Sequence, residues 1–501
     1  MPARHPKYLI AFALLGMAAF APAARGATPA AAGKRPNIIF LMDDQHRWDY
    51  LGRLDPTVKT PTLDRLAKEG LLFDQAVCQA PMCIPSRYSM MLGLYPHQIG
   101  ILSNGPGLND AQLPCDALPE MLRKVGYQTA GFGKTHWLAG QCSTRGFETR
   151  YSSTDREQGA FMMSKDNLDG LKRYNEEVKE YGDGEEFPAG YMGRTSAVPE
   201  EDHRDGWSLK HCLEFLDQGR DETRPLFLYL SFLKPHAGAN VPPGYEDLYD
   251  LASMPVPTQP TLDQVEPCHA TGNDRQDMYR EFWSKATKQQ WQQMVLRYRA
   301  NCSWIDNMFG RVMDKLRAKG LLENCLIIYV SDHGEMLGER YYRFNKYCLY
   351  DASTRVPLIL SGSAVPAAKR GAIDHRPAEE VDIYPTIAAL AGIPLTGKPG
   401  ENLLDAGARK ASFCEYSDRP KVVAFMWRTS TSKLILSFPK ELVCQGHVEL
   451  ADATDGELYD LQADPKEWHN LYTTPEAATR RETMSRELLD HLNRVALKPA
   501  K

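Results

Sequence analysis

The sequence has no excess of positive charge, no internal repeat and, past its first 32 residues, no apolar run long enough to cross a bilayer. Its 59 basic and 64 acidic residues leave a formal net charge of −5, which argues against nucleic acid as a partner. Low-complexity segments are also absent, and 43% of residues are hydrophobic, which excludes a disordered polypeptide. The length of 501 residues instead suits one large core and a smaller second domain.

The N-terminal segment has a composition of its own. Arg4 and Lys7 precede an apolar run at 8–21, and a run of small residues follows at 22–32. This order is typical of a secretory signal peptide, which we assign to residues 1–27. The alternative is a membrane anchor, but the apolar run falls short of the roughly 20 residues that span a bilayer. We therefore expect a periplasmic or secreted protein with no membrane anchor.

Cysteine is present in an odd number. In an oxidising compartment, 11 cysteines leave one without an intramolecular partner. The sequence does not determine the connectivity of the others, and some, such as Cys325 in an apolar run, are equally compatible with buried thiols. One cysteine is therefore a candidate for another role.

Apolar runs of strand length alternate with helical segments over most of the chain. We predict strands at 37–42, 127–132, 225–232 and 325–330, and helices at 62–69, 118–125, 209–216, 289–319 and 382–391. Alternation of this kind predicts an α/β fold with a large, mostly parallel sheet flanked by helices on both faces.

Each predicted strand is followed at once by a cluster of polar residues. The clusters are Asp43-Asp44, the segment from Lys134 to His136, Lys234 to His236, and Asp332-His333. Such residues are ordinary in turns, but open α/β sheets gather their active sites beyond the carboxyl ends of the strands. The coincidence of four clusters predicts an enzyme.

Two long segments and a change of pattern complete the organisation. Residues 150–205 and 237–287 are predicted to be excursions over the site rather than sheet, and are candidates for substrate selection. Near residue 395 the pattern changes to β-like runs, so we predict a catalytic domain at 35–395 and a smaller C-terminal α+β subdomain with an antiparallel sheet at 396–501.

The most specific local pattern is Cys-x-Pro-x-Arg, from Cys83 to Arg87. The residues at 86–92 that follow are predicted to be helical, which places Cys83 beside a helix N-terminus, where backbone amides favour an anionic group. The alternative interpretation of Cys83 is a half-cystine.

With its motifs in this order, the sequence resembles the formylglycine-dependent sulfatases of the alkaline phosphatase superfamily, from residue 35 to about 475. The matching motifs are Asp43-Asp44, Cys83 to Arg87, Leu94-Tyr95-Pro96-His97, Gly133-Lys134-Thr135-His136, Lys234-Pro235-His236, Asp332-His333-Gly334-Glu335, Lys346 and a closing segment at 457–471. The resemblance implies an alkaline phosphatase-like fold. It also implies that a formylglycine-generating maturation enzyme converts Cys83 to 3-oxoalanine, whose hydrate is the nucleophile, and this would explain the odd cysteine.

The resemblance also implies a divalent cation. Asp43, Asp44 and Asp332 would supply hard oxygen ligands, which suit Ca²⁺, with Mg²⁺ as the alternative. The oxygen derived from Cys83 would be a further ligand. His333 stands where many relatives carry Asn, and imidazole is a poorer match to calcium.

Family resemblance assigns the remaining roles. Lys134 and Lys346 would bind the sulfate, since fixed cations stabilise the negative charge that develops during hydrolysis, and Arg87 would hold the formylglycine hydrate.

The proton-transfer roles fall to two histidines. His136 would take a proton from the hydrate and His236 would donate one to the leaving alcohol. The two-residue spacing of Lys134 and His136 points both side chains to one side if that backbone is extended. Lys234 is a possible contact of the leaving group.

The short gap from Asp332 to Lys346 resembles the iduronate-2-sulfatase-like branch, which suggests a sulfated carbohydrate or glycosaminoglycan as the substrate. A pocket for an anionic sugar, or a set of ordinary exposed residues, could be formed by Arg47, Trp48, Arg53, Arg194, His203, Arg204 and Trp207. We therefore expect a sulfatase. The alternatives are a phosphonate monoester or phosphodiester hydrolase of the same superfamily, and a non-catalytic glycan-binding protein with unmodified Cys83.

Overall fold

The computed structural model describes residues 35–495, apart from 138–141, 155–156, 182–186, 266–275, 406, 408 and 418–420, together with Leu497. The predicted signal peptide at 1–27 and Cys268 lie outside the described residues. The described residues belong to one compact unit. None of the helices in this part of the chain is both long enough and apolar enough to cross a membrane.

Strands and helices alternate along the chain as the apolar pattern predicts. The strands are β1 (Asn37–Asp44), β2 (Leu71–Phe73), β3 (Ala76–Val77), β4 (Gln128–Gly133), β5 (Thr149–Ser152), β6 (Phe161–Met162), β7 (Leu226–Pro235), β8 (Cys325–Ser331), β9 (Leu358–Ser361), β10 (Ala372–Asp374), β11 (Ala378–Glu379), β12 (Ser412–Tyr416), β13 (Val422–Arg428), β14 (Ser432–Pro439) and β15 (Asp455–Asp460). The helices are α1 (Pro61–Glu69), α2 (Cys83–Leu92), α3 (Pro96–Ile99), α4 (Leu118–Lys124), α5 (Met163–Asp166), α6 (Leu168–Tyr181), α7 (Arg204–Gln218), α8 (Leu262–Val265), α9 (Gln276–Trp283), α10 (Lys288–Ala318), α11 (Glu339–Tyr342), α12 (Asp351–Thr354), α13 (Ile383–Leu390), α14 (Lys440–Gln445) and α15 (Ala478–Val495). Short 3-10 turns lie between several of these elements.

The main sheet has nine strands in the order β10-β2-β9-β8-β1-β7-β4-β5-β6. All neighbouring pairs are parallel except those that β9 makes with β2 and β8. The carboxyl ends of β1, β4, β7 and β8 therefore meet at one edge of the sheet, as expected for an α/β active site.

The central strand β1 is buried on both faces. Ile38, Phe40 and Met42 belong to one apolar cluster, whereas Ile39 and Leu41 belong to another. Alternate side chains of a strand point to opposite faces, so two helical layers cover the sheet: α2 contributes to the first cluster and α10 to the second. This arrangement confirms the predicted fold class and explains why β1 is continuously apolar.

Residues 150–205 differ from the prediction. Strands β5 and β6 come from this segment and its border, and they extend the main sheet by two short strands at one edge. An edge strand needs no continuous apolar run, so its composition did not mark it as sheet. The described parts of 237–287 form helices and turns.

A second, antiparallel sheet of four strands, β12-β13-β14-β15, lies in the C-terminal part of the chain. The predicted boundary near residue 395 falls between α13 and β12, and it stays a prediction.

A buried ion cluster joins this sheet to α12. The Nζ of Lys433 in β14 lies 2.7 Å from Asp351 and 2.6 Å from Glu467, and Arg428 in β13 also pairs with Asp351 at 2.7 Å. The packing between the antiparallel sheet and α12 is therefore partly ionic.

Candidate active site

The ends of four parallel strands and one helix carry the predicted site residues. Asp43 and Asp44 end β1, Lys134 follows β4, and Asp332 follows β8. At the end of β4, Gly133 has a φ of 87°, and a Cβ there would lie 1.9 Å from the carbonyl oxygen of Ser231. Only glycine lets the chain turn at this point while it stays against β7.

Cys83 is the first residue of α2, which confirms the predicted position beside a helix N-terminus. Its Sγ lies 3.2 Å from Nε2 of His333 and 3.7 Å from Oδ1 of Asp44. Cys83 is a free thiol in the structure and not a half-cystine.

A cluster of four possible metal ligands surrounds this sulfur. The ligand atoms of Asp44, Cys83, Asp332 and His333 all lie within 4.8 Å of one another, and all four residues are buried. Burial lowers the pKa of His333, although Asp332 opposes this, so the imidazole is neutral and has a lone pair to offer. Two carboxylates with one neutral nitrogen fit a divalent cation, and the oxygen-rich set fits Ca²⁺ or Mg²⁺.

Asp43 has a different environment. Its Oδ2 accepts hydrogen bonds from Nδ1 of His46 at 2.7 Å and from the hydroxyl of Tyr329 at 2.9 Å. Its Oδ1 is buried, and no hydrogen-bond partner for it exists among the described residues. A buried carboxylate oxygen without a hydrogen-bond donor is compatible with a cation ligand. The role of Asp43 as a ligand stays a prediction.

Arg87 bridges the two carboxylates of the cluster. Its Nε donates to Asp332 at 2.7 Å, and its Nη2 donates to Asp44 at 2.9 Å. Its Nη1 donates to Oγ of Ser231 at 2.9 Å. The guanidinium thus fixes the orientation of both carboxylates, and the predicted contact with a formylglycine hydrate stays a prediction.

Lys134 adds a second cation. Its Nζ lies 2.6 Å from Oδ2 of Asp44. Burial disfavours the ionised form of Asp44, but Lys134, His236 and Arg87 hold the pKa of this carboxyl well below its usual range. Burial likewise opposes the charge on Lys134, but Asp44 raises the pKa of its ammonium. Both groups are therefore charged at neutral pH.

Lys346 and His236 lie together at the same site. The Nζ of Lys346 is 3.0 Å from Nε2 of His236, which is 3.9 Å from Oδ1 of Asp44. Lys346 is fully buried, whereas His236 is partly exposed. A partly exposed imidazole beside a buried cation is accessible to a substrate that enters from solvent.

His136 and Lys234 are the two predicted site residues whose side chains have less direct structural support for a catalytic contact. His136 is half-buried and has a φ of 61°, so the backbone from Lys134 to His136 is not extended and the same-side argument does not apply. The Nζ of Lys234 donates to the carbonyl oxygens of Gly238 and His236. Their predicted catalytic contacts stay predictions.

The residues suggested for an anionic-sugar pocket are mostly engaged with other parts of the protein. Most of them make contacts inside the protein: Arg47 pairs with Asp49 and Glu339, Trp48 stacks under Arg355, His203 contacts Ser196, Arg204 donates to the carbonyl of Ser153, and Trp207 donates to Asp166. The alternative of exposed residues is also wrong for Arg47, His203 and Trp207, which are buried.

Sequence reasoning missed two buried residues at the site. Gln45 directly follows Asp44, and its backbone N–H donates to Asp332 at 3.1 Å. Glu335 lies in the Asp332 motif and contacts the side chain of Gln45. Gln45 adjoins the quoted Asp43-Asp44 and Glu335 ends the quoted motif Asp332-His333-Gly334-Glu335, and these positions are the signal that could have given both residues a role.

All ten described cysteines are free thiols. The described part of the chain therefore contains no disulfide bond, and no cysteine stands out there as the unpaired one. The odd count therefore lends no support to a special role for Cys83, and the position of Cys83 carries the argument instead.

Comparison with known proteins agrees with this geometry. The Sulfatase family model matches residues 36–393, and a second model, described as N-sulphoglucosamine sulphohydrolase, C-terminal, matches residues 338–494. A sulfatase of Formosa agariphila is 29% identical over 458 residues, which cover 87% of this chain and 83% of the relative. An N-acetylglucosamine-6-O-sulfatase of Bacteroides thetaiotaomicron is 25% identical over 524 residues, with 90% and 85% covered.

Among solved structures, a phosphonate monoester hydrolase of Agrobacterium radiobacter superposes with a TM-score of 0.71 at 22% identity, over 92% of this chain and 96% of that one. At this identity the likeness shows a shared fold. The family match extends over most of the chain and includes the strands of the main sheet, the helix α2 and the ligand cluster described above. The chain therefore belongs to the sulfatase family and is a sulfuric ester hydrolase.

Proposed function

We propose that the protein hydrolyses sulfate esters of a sulfated carbohydrate, such as a glycosaminoglycan, with Cys83 oxidised to formylglycine and with Ca²⁺ bound. Mg²⁺ is the alternative cation. The observation that carries this proposal is the convergence of Cys83, Asp44, Asp332 and His333 within 4.8 Å. When bound there, the cation would supply positive charge to the sulfate and to the nucleophile.

The side chains of the site would perform the remaining steps. Lys134 and Lys346 are buried cations beside the cluster, and they would bind the sulfate oxygens and stabilise the charge that develops on them. His236 would donate its proton to the leaving alcohol, and His136 would accept the proton that is released when the aldehyde reforms. Arg87 would hold the two carboxylates in place, since it contacts both.

A carbohydrate substrate is supported by the similarity to the Bacteroides thetaiotaomicron relative, which is an N-acetylglucosamine-6-O-sulfatase. The composition of residues 1–27 favours export. We accordingly propose a periplasmic or secreted location, and a formylglycine-generating enzyme that matures Cys83.

Mass spectrometry of the Cys83 peptide from native host material tests the chemical identity of the nucleophile. We expect a peptide about 18 Da lighter than the thiol form, because oxidation of a cysteine to formylglycine replaces the CH₂–SH group by an aldehyde. A peptide that contains only thiol or disulfide would reject the proposed nucleophile and favour a glycan-binding protein.

Parallel assays on an aryl sulfate and an aryl phosphodiester test the reaction. Both substrates carry one negative charge, so the count of cations at the site does not separate them. We expect a higher kcat/KM for the sulfate, and Cys83→Ala should abolish it. A preference for the phosphodiester would assign the protein to the phosphonate monoester or phosphodiester hydrolases instead.

A further inference from the structure

A buried chain of hydrogen bonds leads away from Lys346. The Nζ of Lys346 donates to Oε1 of Gln45 at 2.8 Å, and Nε2 of Gln45 donates to the carboxylate of Glu335. The hydroxyl of Tyr191 donates to the same carboxylate at 3.1 Å. All four side chains are at least 95% buried, so water does not compete for these contacts.

Glu335 is held firmly by the backbone. Its Oε1 accepts the N–H groups of Leu337 at 3.0 Å and of Asn345 at 2.5 Å. Its Oε2 accepts from Gln45 and Tyr191. Both oxygens are thus occupied by donors, as a buried carboxylate requires.

This carboxylate decides which way the amide of Gln45 faces. A carboxylate accepts hydrogen bonds and cannot donate them, so the NH₂ group of Gln45 must face Glu335. The amide oxygen must then face Lys346, which only donates. The backbone of Gln45 has a φ of 66° and donates to Asp332, which further fixes the residue beside the cluster.

Tyr191 belongs to the excursion at 150–205. The segment around it is anchored to α10, because Arg297 donates to the carbonyl oxygens of Met192 at 2.9 Å and Gly193 at 2.6 Å. Trp283 of α9 donates to the carbonyl of Pro188 at 3.1 Å. The excursion is therefore packed against rigid helices and reaches the site through Tyr191.

We propose that Gln45 and Glu335 are positioning residues, which direct the ammonium of Lys346 towards the sulfate, and that Tyr191 links the excursion at 150–205 to this lysine. The proposal rests on the proposed function, since it gives Lys346 its task. Gln45 and Glu335 act through Lys346 and do not contact the reacting atoms.

Exchanging the two side chains tests the order of donors and acceptors. In Glu335→Gln, the new amide oxygen faces the N–H groups of Leu337 and Asn345, so its NH₂ group faces the NH₂ of Gln45. Gln45 must then turn its amide and present a donor to Lys346. In Gln45→Glu, two carboxylates face each other at the same place. In the double variant, the new amide at position 335 donates to the new carboxylate at position 45. That carboxylate also accepts from Lys346.

We expect each single variant to lower kcat/KM for an aryl sulfate by about 10–100-fold, as is typical when the supporting partner of a site residue is lost. The double variant should recover most of this loss. Tyr191→Phe, which removes one hydroxyl, should lower kcat/KM by about threefold to tenfold, since one hydrogen bond to a charged group is removed.

The control is Gln292→Glu on α10. The buried amide of Gln292 donates to the carbonyls of Ala252 and Met254 outside the site, so this variant should lower the Tm and leave kcat/KM unchanged.

Binding of inorganic sulfate, measured by calorimetry, gives a readout that needs no turnover. Both single variants should bind sulfate about tenfold more weakly than the unaltered protein, and the double variant should bind it about as well. Folded single variants with unchanged kcat/KM and sulfate affinity would overturn the positioning role, as would a double variant no better than the weaker single one. Sulfate binding without sulfatase activity in the unaltered, formylglycine-containing protein would instead refute the proposed function alone.

Discussion

The sulfur of Cys83 lies 3.2 Å from Nε2 of His333. The first residue of a helix and a residue just past a strand are thereby brought into contact across 250 positions of sequence. The two residues share a cluster with Asp44 and Asp332. His333 therefore lies where a cation ligand would lie.

His333→Ala is expected to lower the affinity for Ca²⁺ by at least about tenfold, because one neutral donor is lost from the cluster. His333→Asn keeps a neutral acceptor and should retain most of the affinity. Calorimetric titration of Ca²⁺ into chelator-treated protein measures both. His375→Ala, at an exposed histidine, is the control, and equal affinities for all three variants would remove His333 from the ligand set.

Arg87→Met is expected to destabilise the metal-free protein by about 3–5 kcal/mol, because it leaves the buried carboxylates of Asp44 and Asp332 without their shared partner. Urea denaturation followed by circular dichroism measures the change. Arg123→Met breaks an exposed ion pair with Glu120 and should have little effect. A similar small effect at Arg87 would show that the two carboxylates do not need it.

Lys134→Ala is expected to lower kcat by about 10²–10³-fold, the typical loss when one preorganised charge at a reaction centre is removed. Lys134→Arg keeps the charge and should retain part of the activity. Steady-state kinetics on an aryl sulfate measures both, with Lys315→Ala, at an exposed ion pair on α10, as the control. Unchanged kcat in Lys134→Ala would mean that the sulfate binds elsewhere.

The dependence of stability on pH should change in Asp306→Asn. The carboxylate of Asp306 accepts the N–H groups of Thr62 and Leu63 at the start of α1, but burial raises its pKa to about 7. The folded protein then holds a proton that the unfolded chain, with a pKa of about 3.9, releases. The protonated carboxyl of Asp306 therefore makes its full stabilising contribution below about pH 4, and this contribution is lost as the pH rises through 7.

Thermal unfolding between pH 4 and pH 8 measures this effect. The Tm of Asp306→Asn should fall less with rising pH than that of the unaltered protein. Asp314→Asn, at an exposed position of the same helix α10, should follow the unaltered protein. A parallel fall in Asp306→Asn would show that Asp306 does not take up a proton on folding.

The parts of the fold that depend on local pattern could be predicted. The apolar run at 37–42 and the acids after it correspond to β1 and its end, because a buried parallel strand requires continuous apolar residues. The helix predicted at 86–92 corresponds to the larger part of α2, which is buried throughout although it contains Arg87.

The parts that depend on distant partners could not be predicted. Gln45 contacts Glu335 across 290 positions, and no periodicity encodes such a pair. Arg47 was considered for a substrate pocket, yet it pairs with Asp49 and Glu339. A charged residue shows its charge in the sequence, but only the fold shows which opposite charge neutralises it.

The buried ion cluster at Asp351 links α12 to the antiparallel sheet. Asp351 lies five residues after Lys346, and its counter-charges, Arg428 and Lys433, come from the antiparallel sheet. A chain shortened at residue 395 would lose both of these cations and would uncover the apolar cluster to which Met426 and Ile435 of the antiparallel sheet contribute. The segment that carries Lys346, which we propose binds the sulfate, would then lose these contacts. We therefore expect catalysis to require the whole chain and not only its larger part.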